Sequence, residues 1–411
     1  MSAPEFELAD IFRRHGPSFL ESHPPSAAQR RVMRAIQQCR TAELGGHVDQ
    51  CDSCGHKRIS YNSCRNRHCP KCQSLERARW LDQRQSELLS VHYFHVVFTV
   101  PSELAGLLLQ NRKVGYNILF RATAETLLRI AADPKHLGAR IGFLAILHTW
   151  GQTLLHHPHI HCVIPGGGIS PDNTQWISCS NRFFLPVRVL SRLFRRLFLD
   201  YLNDAFKAGR LEFHGTLAHL SDPAIFARLL AKSRRKKWVV YAKRPFGGPP
   251  QVLAYLGRYT HRVAISNHRL LSLETAKVAF TWKDYRIGNA NRTMSLDATE
   301  FIRRFLLHVL PSGFVRIRYY GFLSNANRRQ NLDLCRRLIA VANESLAQQS
   351  PLIQQPPPDQ YLRTEYDHLT ARSPDICPLC HHGRMLILDV LKPTSLSHPP
   401  SQIKPEGLDS S

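Results

Sequence analysis

The sequence predicts an α+β fold with a metal-binding segment near its N-terminus. Segments with a helical hydrophobic period alternate with short runs of β-branched and aromatic residues. Two of these runs, 141–150 and 159–165, are joined by a short connection, which is typical of an antiparallel hairpin. Cysteines concentrate at 51–72, and the composition becomes proline-rich and polar from 354 onward. These features predict a cysteine-rich N-terminal domain, a mixed sheet-and-helix domain and a tail.

The individual elements follow from residue periodicity. Apolar residues recur every three or four positions in the segments expected to be helical: 27–43, 76–90, 103–132, 187–209, 251–262, 297–310 and 327–346. Compact apolar runs predict strands at 91–101, 141–150, 159–165, 238–243, 277–282 and 314–322. We therefore expect an N-terminal domain at 8–90, a second domain at 91–346 and a largely flexible tail at 347–411.

The charge balance indicates a polyanionic partner. Lys and Arg number 55 against 31 Asp and Glu, which gives a net charge of +24. Such an excess attracts nucleic acid or anionic lipid, although a merely basic, solvated surface is the simpler alternative. No apolar run approaches the roughly 20 residues of a membrane span, and no basic amphipathic helix with an aromatic face dominates. These features favour nucleic acid over membrane, and the absence of a signal-peptide core predicts a cytoplasmic protein.

Two cysteine pairs predict a structural zinc site. Cys51 and Cys54 form one C-x2-C pair, and Cys69 and Cys72 form another after 14 intervening residues. Four thiolates from two such turns suit one tetrahedral Zn²⁺ and leave no open position for catalysis. A redox dithiol is the alternative, but it does not explain two pairs. Three nearby residues could replace a cysteine among the ligands: Cys64, His56 and His68.

The remaining cysteines and the basic residues of this segment have separate interpretations. Four scattered cysteines are expected to be small buried residues: Cys39, Cys162, Cys179 and Cys335. Arg65, Arg67 and Lys71 lie between the zinc ligands and are expected to contact DNA phosphates. The same role is expected for the charge run Arg234, Arg235, Lys236 and Lys237.

Alternating histidines on one strand predict a second kind of metal site. His157, His159 and His161 would share one face of the 159–165 strand. A histidine triad with a nucleophilic imidazole is one interpretation, but Pro158 favours a strand start there and places His157 at the mouth of the strand. The other interpretation uses His159 and His161 to bind a divalent ion, with His148 as third ligand and Gln152 in reserve.

Two tyrosines are candidate nucleophiles. Tyr255 and Tyr259 are four residues apart, so they share a face of the expected 251–262 helix, and Arg258 and Arg262 have the same spacing. A guanidinium and a metal-activated phosphate would favour attack by a phenolate. The simpler alternative is an amphipathic helix with tyrosines at the edge of the core.

Together these motifs resemble the two-tyrosine HUH transposases of rolling-circle insertion sequences, the IS91-type family. The segments that carry the resemblance include CRNRHCPKC, HPHIHCVIPGGG and YLGRYTHRVAISNHRL, and the similarity runs from roughly residue 10 to 340. HUH denotes two histidines around a bulky apolar residue, here His159, Ile160 and His161. The N-terminal cysteine segment resembles the family's transposase zinc-binding domain.

The resemblance implies a ferredoxin-like antiparallel sheet backed by helices, with the HUH pair on a central strand. It implies a Mg²⁺ or Mn²⁺ ion at the histidines and structural Zn²⁺ at the cysteines. It also implies cleavage and joining of single-stranded DNA at transposon and target sites through a 5′-phosphotyrosine, in a bacterial, nucleoid-associated protein. Two other interpretations remain open: a catalytically inactive zinc-dependent DNA-binding protein and a histidine-triad nucleotide hydrolase.

The tail holds one more pair that resembles the family. The segment CPLCHHG supplies Cys377 and Cys380, followed by His381 and His382. One C-x2-C pair is half of a zinc site. It is expected either to bind a second zinc with those histidines or to remain a surface pair.

Overall fold

The computed structural model describes residues 6–180, 184–246, 252, 257, 263–284, 288, 290–349 and 376–394. The α-helices in these residues are α1 (Leu8–Ser22), α2 (Ala27–Gln38), α3 (Pro70–Gln85), α4 (Ala105–Gln110), α5 (Arg112–Ala132), α6 (Val187–Lys207), α7 (Pro223–Arg235), α8 (Ala298–Leu306) and α9 (Arg328–Gln349). The strands are β1 (Gly46–Cys51), β2 (Lys57–Tyr61), β3 (Tyr93–Thr99), β4 (Gly142–Trp150), β5 (His156–Pro165), β6 (Gly167–Ile169), β7 (Trp176–Ser178), β8 (Val239–Phe246), β9 (Leu270–Glu274), β10 (Lys277–Asp284), β11 (Ala290–Asp297), β12 (Ile317–Gly321) and β13 (Met385–Leu391).

The largest sheet has five antiparallel strands in the order β12-β4-β5-β3-β8. Strand β3 leads through α4 and α5 to the β4–β5 hairpin, and β5 leads through α6 and α7 to β8. This βαββαβ connection with β3 and β5 at the centre is the ferredoxin-like arrangement, to which β12 adds an edge strand. The α+β class expected from the sequence is confirmed.

The two faces of this sheet differ in chemistry because side chains alternate along each strand. On one face Phe98, Leu147 and Ile160 are fully buried in a core shared with α5 and α6. Phe194 of α6 packs edge-on against Phe98, with ring centroids 5.1 Å apart. The opposite face carries the histidines and a smaller apolar cluster that includes Leu144 and Val163. The helices therefore cover one face and leave the histidine face for other elements.

A second core joins the N-terminal helices to residues late in the chain. Helices α1 and α2 pack on α8 and on the sheet β9-β10-β11, and Phe12 meets Phe305 edge-on at 5.5 Å between centroids. Gln29 donates a hydrogen bond to the carbonyl of Leu306 (2.9 Å). Helix α2 begins with a capping box, since Ser26 and Gln29 bond to each other's backbone N–H groups. The N-terminal region thus shares its core with residues from the second predicted domain.

The third sheet unites the two ends of the chain. Strand β13 pairs antiparallel with β1, and β1 pairs with β2, in the order β13-β1-β2. The register runs from Gly46 opposite Leu391 to Cys51 opposite Met385. Within the segment expected to be a largely flexible tail, 347–411, residues 385–391 form a strand of this sheet. A strand can be formed by pairing with a distant edge strand, and composition alone does not reveal that partner.

No helix in the described ranges combines the length and the apolar character needed to cross a membrane.

Candidate metal centres and nucleic-acid surface

Three histidines converge on the face of the five-stranded sheet opposite α5 and α6. His148 on β4 lies directly opposite His159 on β5, and His161 follows two residues along β5. The candidate ligand nitrogens of the three rings all lie within 4.8 Å of one another. The hairpin produces this arrangement because its register places His148 beside the alternating pair. The third ligand named from the sequence thus lies where a shared ion would need it.

The three rings differ in exposure and orientation. His148 and His161 are buried, whereas His159 is partly exposed. The ring of His148 stacks on Trp150 at 4.9 Å between centroids. Nδ1 of His159 lies 2.7 Å from the carbonyl of His157, so this nitrogen donates and Nε2 is the atom that would bind a metal. The partly exposed His159 leaves a route from solvent to the group.

A fourth histidine, His95 on β3, supports the site and was not singled out from the sequence. Its Nε2 lies 2.8 Å from Nδ1 of His161, and the two rings stack with an 8° interplanar angle. His95 is 4 % exposed. A hydrogen bond to the outer nitrogen of a metal-binding imidazole fixes its orientation and tautomer. The sequence did contain a signal for this role, because His95 is the one histidine in the apolar strand 93–99. It lies on the same sheet face as His159 and His161.

The other polar residues on or just before β5 have different surroundings from the three converging histidines. His157 is exposed near the start of β5 and is not among the three converging histidines. Gln152, the reserve ligand, has its side-chain oxygen 3.5 Å from the backbone nitrogen of Lys283. His156 bonds through Nε2 to the hydroxyl of Tyr116 at 2.8 Å. The geometry favours a three-histidine metal site over a triad that includes His157.

Of the segment 251–262, which contains the two candidate tyrosines, the structure describes residues 252 and 257. Tyr255, Tyr259, Arg258 and Arg262 lie outside the described residues. Val252, three residues before Tyr255, is helical and fully buried. Its side chain belongs to the apolar cluster with Leu144, Ile146 and Val163, which lies on the histidine face of the sheet.

The cysteines form two groups of four rather than the single group expected. The first group contains Cys39, Cys64, Cys69 and Cys72, and the second contains Cys51, Cys54, Cys377 and Cys380. In each group all Sγ atoms lie within 4.8 Å of one another. The prediction of one zinc held by Cys51, Cys54, Cys69 and Cys72 is therefore wrong, because the two pairs lie at different sites. Four cysteines in a compact group are the donor set that structural Zn²⁺ prefers.

The first group lies within the N-terminal core. Cys39, interpreted from the sequence as an ordinary buried residue, has its Sγ 3.6 Å from that of Cys72, and Cys64 lies 3.5 Å from Cys72. Hydrogen bonds from the Cys39 and Cys64 thiols hold the pKa of Cys72 far below its usual range. The group thus favours a thiolate, the protonation state that binds metal.

His68 is not among the ligands, although the sequence allowed it. Burial, with the neighbouring charges of Arg67 and Arg316, lowers the pKa of His68 to about 3. Its Nε2 accepts a hydrogen bond from the backbone N–H of Leu310 (3.4 Å). His68 therefore acts as a neutral link between the cysteine segment and the end of the 297–310 region.

The second group joins residues from opposite ends of the chain. Sγ of Cys51 lies 3.7 Å from Sγ of Cys380, and Sγ of Cys54 lies 3.6 Å from Sγ of Cys377. The backbone N–H groups of His382 and Gly383 lower the pKa of Cys380 to about 6. Cys51 and Cys54 complete the group with Cys377 and Cys380, and His381 and His382 are not in it.

Comparison with known proteins gives the family. Residues 11–100 match a family model described as a transposase zinc-binding domain, and residues 142–331 match one described as a putative transposase. A putative transposase, y4qJ, of Sinorhizobium fredii (strain NBRC 101917 / NGR234) is 58 % identical over 385 residues, which cover 93 % of this chain and 95 % of that protein. The chain belongs to the IS91 family of transposases.

A more distant relative is consistent with this assignment. The transposase for insertion sequence element IS801 of Pseudomonas savastanoi pv. phaseolicola is 28 % identical over 345 residues, which cover 83 % of this transposase and 79 % of the relative. No solved structure matches the chain. The family recognised from the motifs is confirmed. Membership indicates a protein that processes nucleic acid, and the zinc-binding domain and cysteine groups indicate structural zinc.

The basic residues among the cysteines of this transposase divide into two kinds. Arg67 is partly buried and donates to the carbonyls of Phe314 (2.6 Å) and Pro311 (3.0 Å). Lys71 forms an ion pair with Glu7. Arg65 is exposed. The guanidinium of Arg67 is engaged within the protein, whereas Arg65 has the exposure that a phosphate contact requires. The DNA contacts of both residues stay predictions.

A basic surface lies on the outer side of the helices. Arg234, Arg235, Lys236 and Lys237 are all exposed at the end of α7. A depression beside them is lined by five arginines, one aspartate and three apolar residues: Arg129, Arg192, Arg195, Arg196, Arg234, Asp200, Ile130, Val189 and Leu193. Since α5 and α6 cover the face of the sheet opposite the histidines, this surface and the histidine group lie on opposite sides of the sheet.

Proposed function

We propose that this transposase cleaves and rejoins single-stranded DNA at transposon ends through a covalent 5′-phosphotyrosine. The observation that carries the proposal is the convergence of His148, His159 and His161 on the sheet face where Val252 is also buried. Tyr255 and Tyr259 follow Val252 by three and seven residues, spacings that share one face of a helix. This spacing from Val252 supports the proposal that the candidate nucleophiles act on the sheet face that carries the histidines.

The donor set fits one divalent ion with an open side. His148, His159 and His161 would hold it through neutral imidazole nitrogens, which already lie within 4.8 Å of one another. The partly exposed His159 lies on the solvent side of this group, from which a phosphate could approach. When bound, Mg²⁺ or Mn²⁺ would supply a Lewis acid for the scissile phosphate.

The chemistry proposed for the tyrosines conserves bond energy. The phenolic oxygen of Tyr255 or Tyr259 attacks phosphorus, the bond from phosphorus to the 3′-oxygen breaks, and the 5′-phosphate stays on the tyrosine as a diester. The phenol loses one proton, and the departing 3′-oxygen gains one to become a hydroxyl. Attack of a 3′-hydroxyl on the phosphotyrosine reverses these changes and rejoins a strand, so no ATP is consumed. Two tyrosines allow two successive cleavages at one site.

An adduct assay tests this proposal. The full chain is incubated with Mn²⁺ or Mg²⁺ and single-stranded transposon-end DNA labelled on the 5′-phosphate side of the cleavage site, then separated on a denaturing gel. We expect label that stays on the protein after boiling and maps to Tyr255 or Tyr259. Tyr255→Phe and Tyr259→Phe should each block part of the cycle, whereas Tyr61→Phe, an exposed tyrosine on β2, serves as the control.

Two other outcomes would overturn the proposal. Label on a histidine would indicate the histidine-triad chemistry. Normal DNA binding without any adduct, under both metals, would indicate a DNA-binding protein without nuclease activity. His159→Ala and His161→Ala should abolish the adduct while leaving most DNA affinity, because the distributed positive charge provides that affinity.

A further inference from the structure

We propose that this transposase binds a second zinc ion through Cys51, Cys54, Cys377 and Cys380, and that this ion fastens the C-terminal segment 376–394 to the N-terminal domain. The matching zinc-binding family model ends at residue 100 and therefore contains only two of these four ligands. The proposal does not depend on the nuclease chemistry.

The sulfur positions fit a tetrahedral ion. Zinc–sulfur bonds of about 2.3 Å in a tetrahedron place sulfur atoms about 3.8 Å apart. The Cys51–Cys380 and Cys54–Cys377 separations are 3.7 and 3.6 Å, and all four atoms lie within 4.8 Å of one another. The four sulfurs therefore surround a volume of the size that one zinc ion occupies.

Both cysteine pairs have the backbone arrangement of a zinc knuckle. The N–H groups of Ser53 and Cys54 point to Sγ of Cys51, each at 3.4 Å. In the C-terminal pair, Sγ of Cys377 accepts from Leu379 and Sγ of Cys380 accepts from Gly383, again at 3.4 Å. Such N–H groups stabilise the negative charge of a ligating thiolate.

Gly383 allows the two pairs to approach each other. A Cβ atom at this position would lie 2.4 Å from Sγ of Cys51, a distance that no side chain tolerates. The close approach of the two knuckles thus depends on a glycine directly after the second pair.

Apart from its backbone pairing with β1, the C-terminal strand has little apolar contact to hold it. Met385 is its one buried side chain, and Leu386, Ile387, Leu388 and Val390 are all more than half exposed. Burial of apolar surface therefore contributes little to the docking of β13. Closing the chain between Cys54 and Cys377 also costs conformational entropy. A zinc ion bound by cysteines of both segments would compensate for the small apolar burial and for the entropy of closing the chain, as metal binding does in small zinc domains.

Zinc content provides the first test. The full chain, purified under reducing conditions and measured by mass spectrometry of metals, should contain two zinc ions. The variant Cys377→Ser/Cys380→Ser should contain one, and Cys335→Ala, a cysteine outside both groups, should contain two. One zinc in the wild-type protein, or two in the double variant, would overturn the proposal.

Alkylation of the wild-type protein gives a test that requires no variant. Cys54 is exposed, so it should react rapidly with iodoacetamide after a chelator is added and slowly before. Cys380 should follow Cys54, and limited proteolysis should then release fragments from 376–394. Equal alkylation of Cys54 with and without chelator would show that no metal protects it and would reject the second site.

Discussion

The orientation of His161, a candidate metal ligand, depends on a neighbouring residue, His95, that is not itself a candidate ligand. Because His95 engages its Nδ1, Nε2 is the nitrogen that would face a metal. The ring also stacks on that of His95, with centroids 5.1 Å apart, and lies at 59° to the ring of His148, with centroids 4.5 Å apart. His95 is thus a positioning residue, whose effect is transmitted through the orientation of His161.

Replacing His95 should weaken metal binding without removing a ligand. We expect His95→Ala to lower Mn²⁺ affinity by about 10- to 100-fold, the usual range for losing a partner behind a metal ligand. His95→Gln, which keeps a hydrogen-bonding side chain, should recover part of the affinity. Calorimetric titration measures the effect, with the exposed His219→Ala as control. Wild-type affinity in His95→Ala would show that the hydrogen bond has no such role.

His308 should make the stability of the protein depend on pH. It is buried, accepts from Thr149 (3.2 Å) and donates to the carbonyl of Leu154 (2.9 Å), and burial lowers its pKa to about 3. Between about pH 6.5, the value for an unfolded histidine, and pH 3, the unfolded chain takes up a proton that the folded chain does not. The free energy of unfolding should therefore fall as pH falls through this window, by at most about 1.4 kcal/mol per pH unit.

Urea denaturation at pH 7.5, 6.5 and 5.5 measures this dependence. His308→Gln keeps one donor and one acceptor and should reduce the slope below pH 6.5. His219→Gln, at an exposed position, should leave the slope unchanged. An identical slope in wild type and His308→Gln would contradict the assignment.

At the scale of elements, the side chains of Arg67 and His68 attach the cysteine segment to residues late in the chain. Arg67 binds the carbonyls of Pro311 and Phe314, and His68 accepts from the backbone of Leu310. These bonds hold the 64–72 segment against the turn that precedes β12. The position of this segment relative to the sheet therefore depends on Arg67.

Arg65 and Arg67 offer a matched pair of variants. Arg67→Ala leaves two carbonyls without their donor, so we expect a loss of about 1–3 kcal/mol in unfolding free energy and little change in DNA affinity. Arg65→Ala should have the opposite effect: unchanged stability and weaker DNA binding. Chemical denaturation and fluorescence anisotropy with labelled DNA measure the two quantities. Equal effects of both variants on DNA affinity would show that Arg67 also reaches the nucleic acid.

The sequence predicted the central hairpin and its histidines because both depend on local pattern. β4 is a nearly continuous apolar run, and the alternation of histidines with other residues in β5 places His159 and His161 together. The cysteine grouping was missed because Cys39, Cys377 and Cys380 reach their partners only through long-range packing. Strand β2 was also missed, because its residues alternate only between exposed and partly exposed positions and carry little apolar signal.

At the scale of the whole molecule, the exposed basic residues at the end of α7 and the candidate metal-binding histidines lie on opposite sides of the five-stranded sheet. The histidines lie on one face, and the exposed residues Arg234, Arg235, Lys236 and Lys237 lie beyond the helices on the other. We propose that this basic surface binds the phosphate backbone of DNA away from the scissile bond. A strand bound at both places would have to pass around an edge of the sheet.

Salt dependence tests the role of the basic surface. Arg234→Gln/Arg235→Gln should weaken binding of single-stranded DNA and reduce the slope of log affinity against log salt by up to about 0.7 for each phosphate that the protein no longer neutralises. Arg329→Gln/Arg337→Gln, exposed positions on α9, provides a charge-matched control. Equal slopes for the two double variants would show that the basic surface makes no special contribution.

The pairing of β1 with β13 also sets an order of events during synthesis. Residues 46–51 leave the ribosome long before their partner strand at 385–391 is translated. A nascent chain therefore carries Cys51 and Cys54 as an incomplete thiol pair until residues 377–380 have been made. The N-terminal sheet matures only after residue 391 has been synthesised, and a message truncated before codon 377 yields a protein that can never complete it.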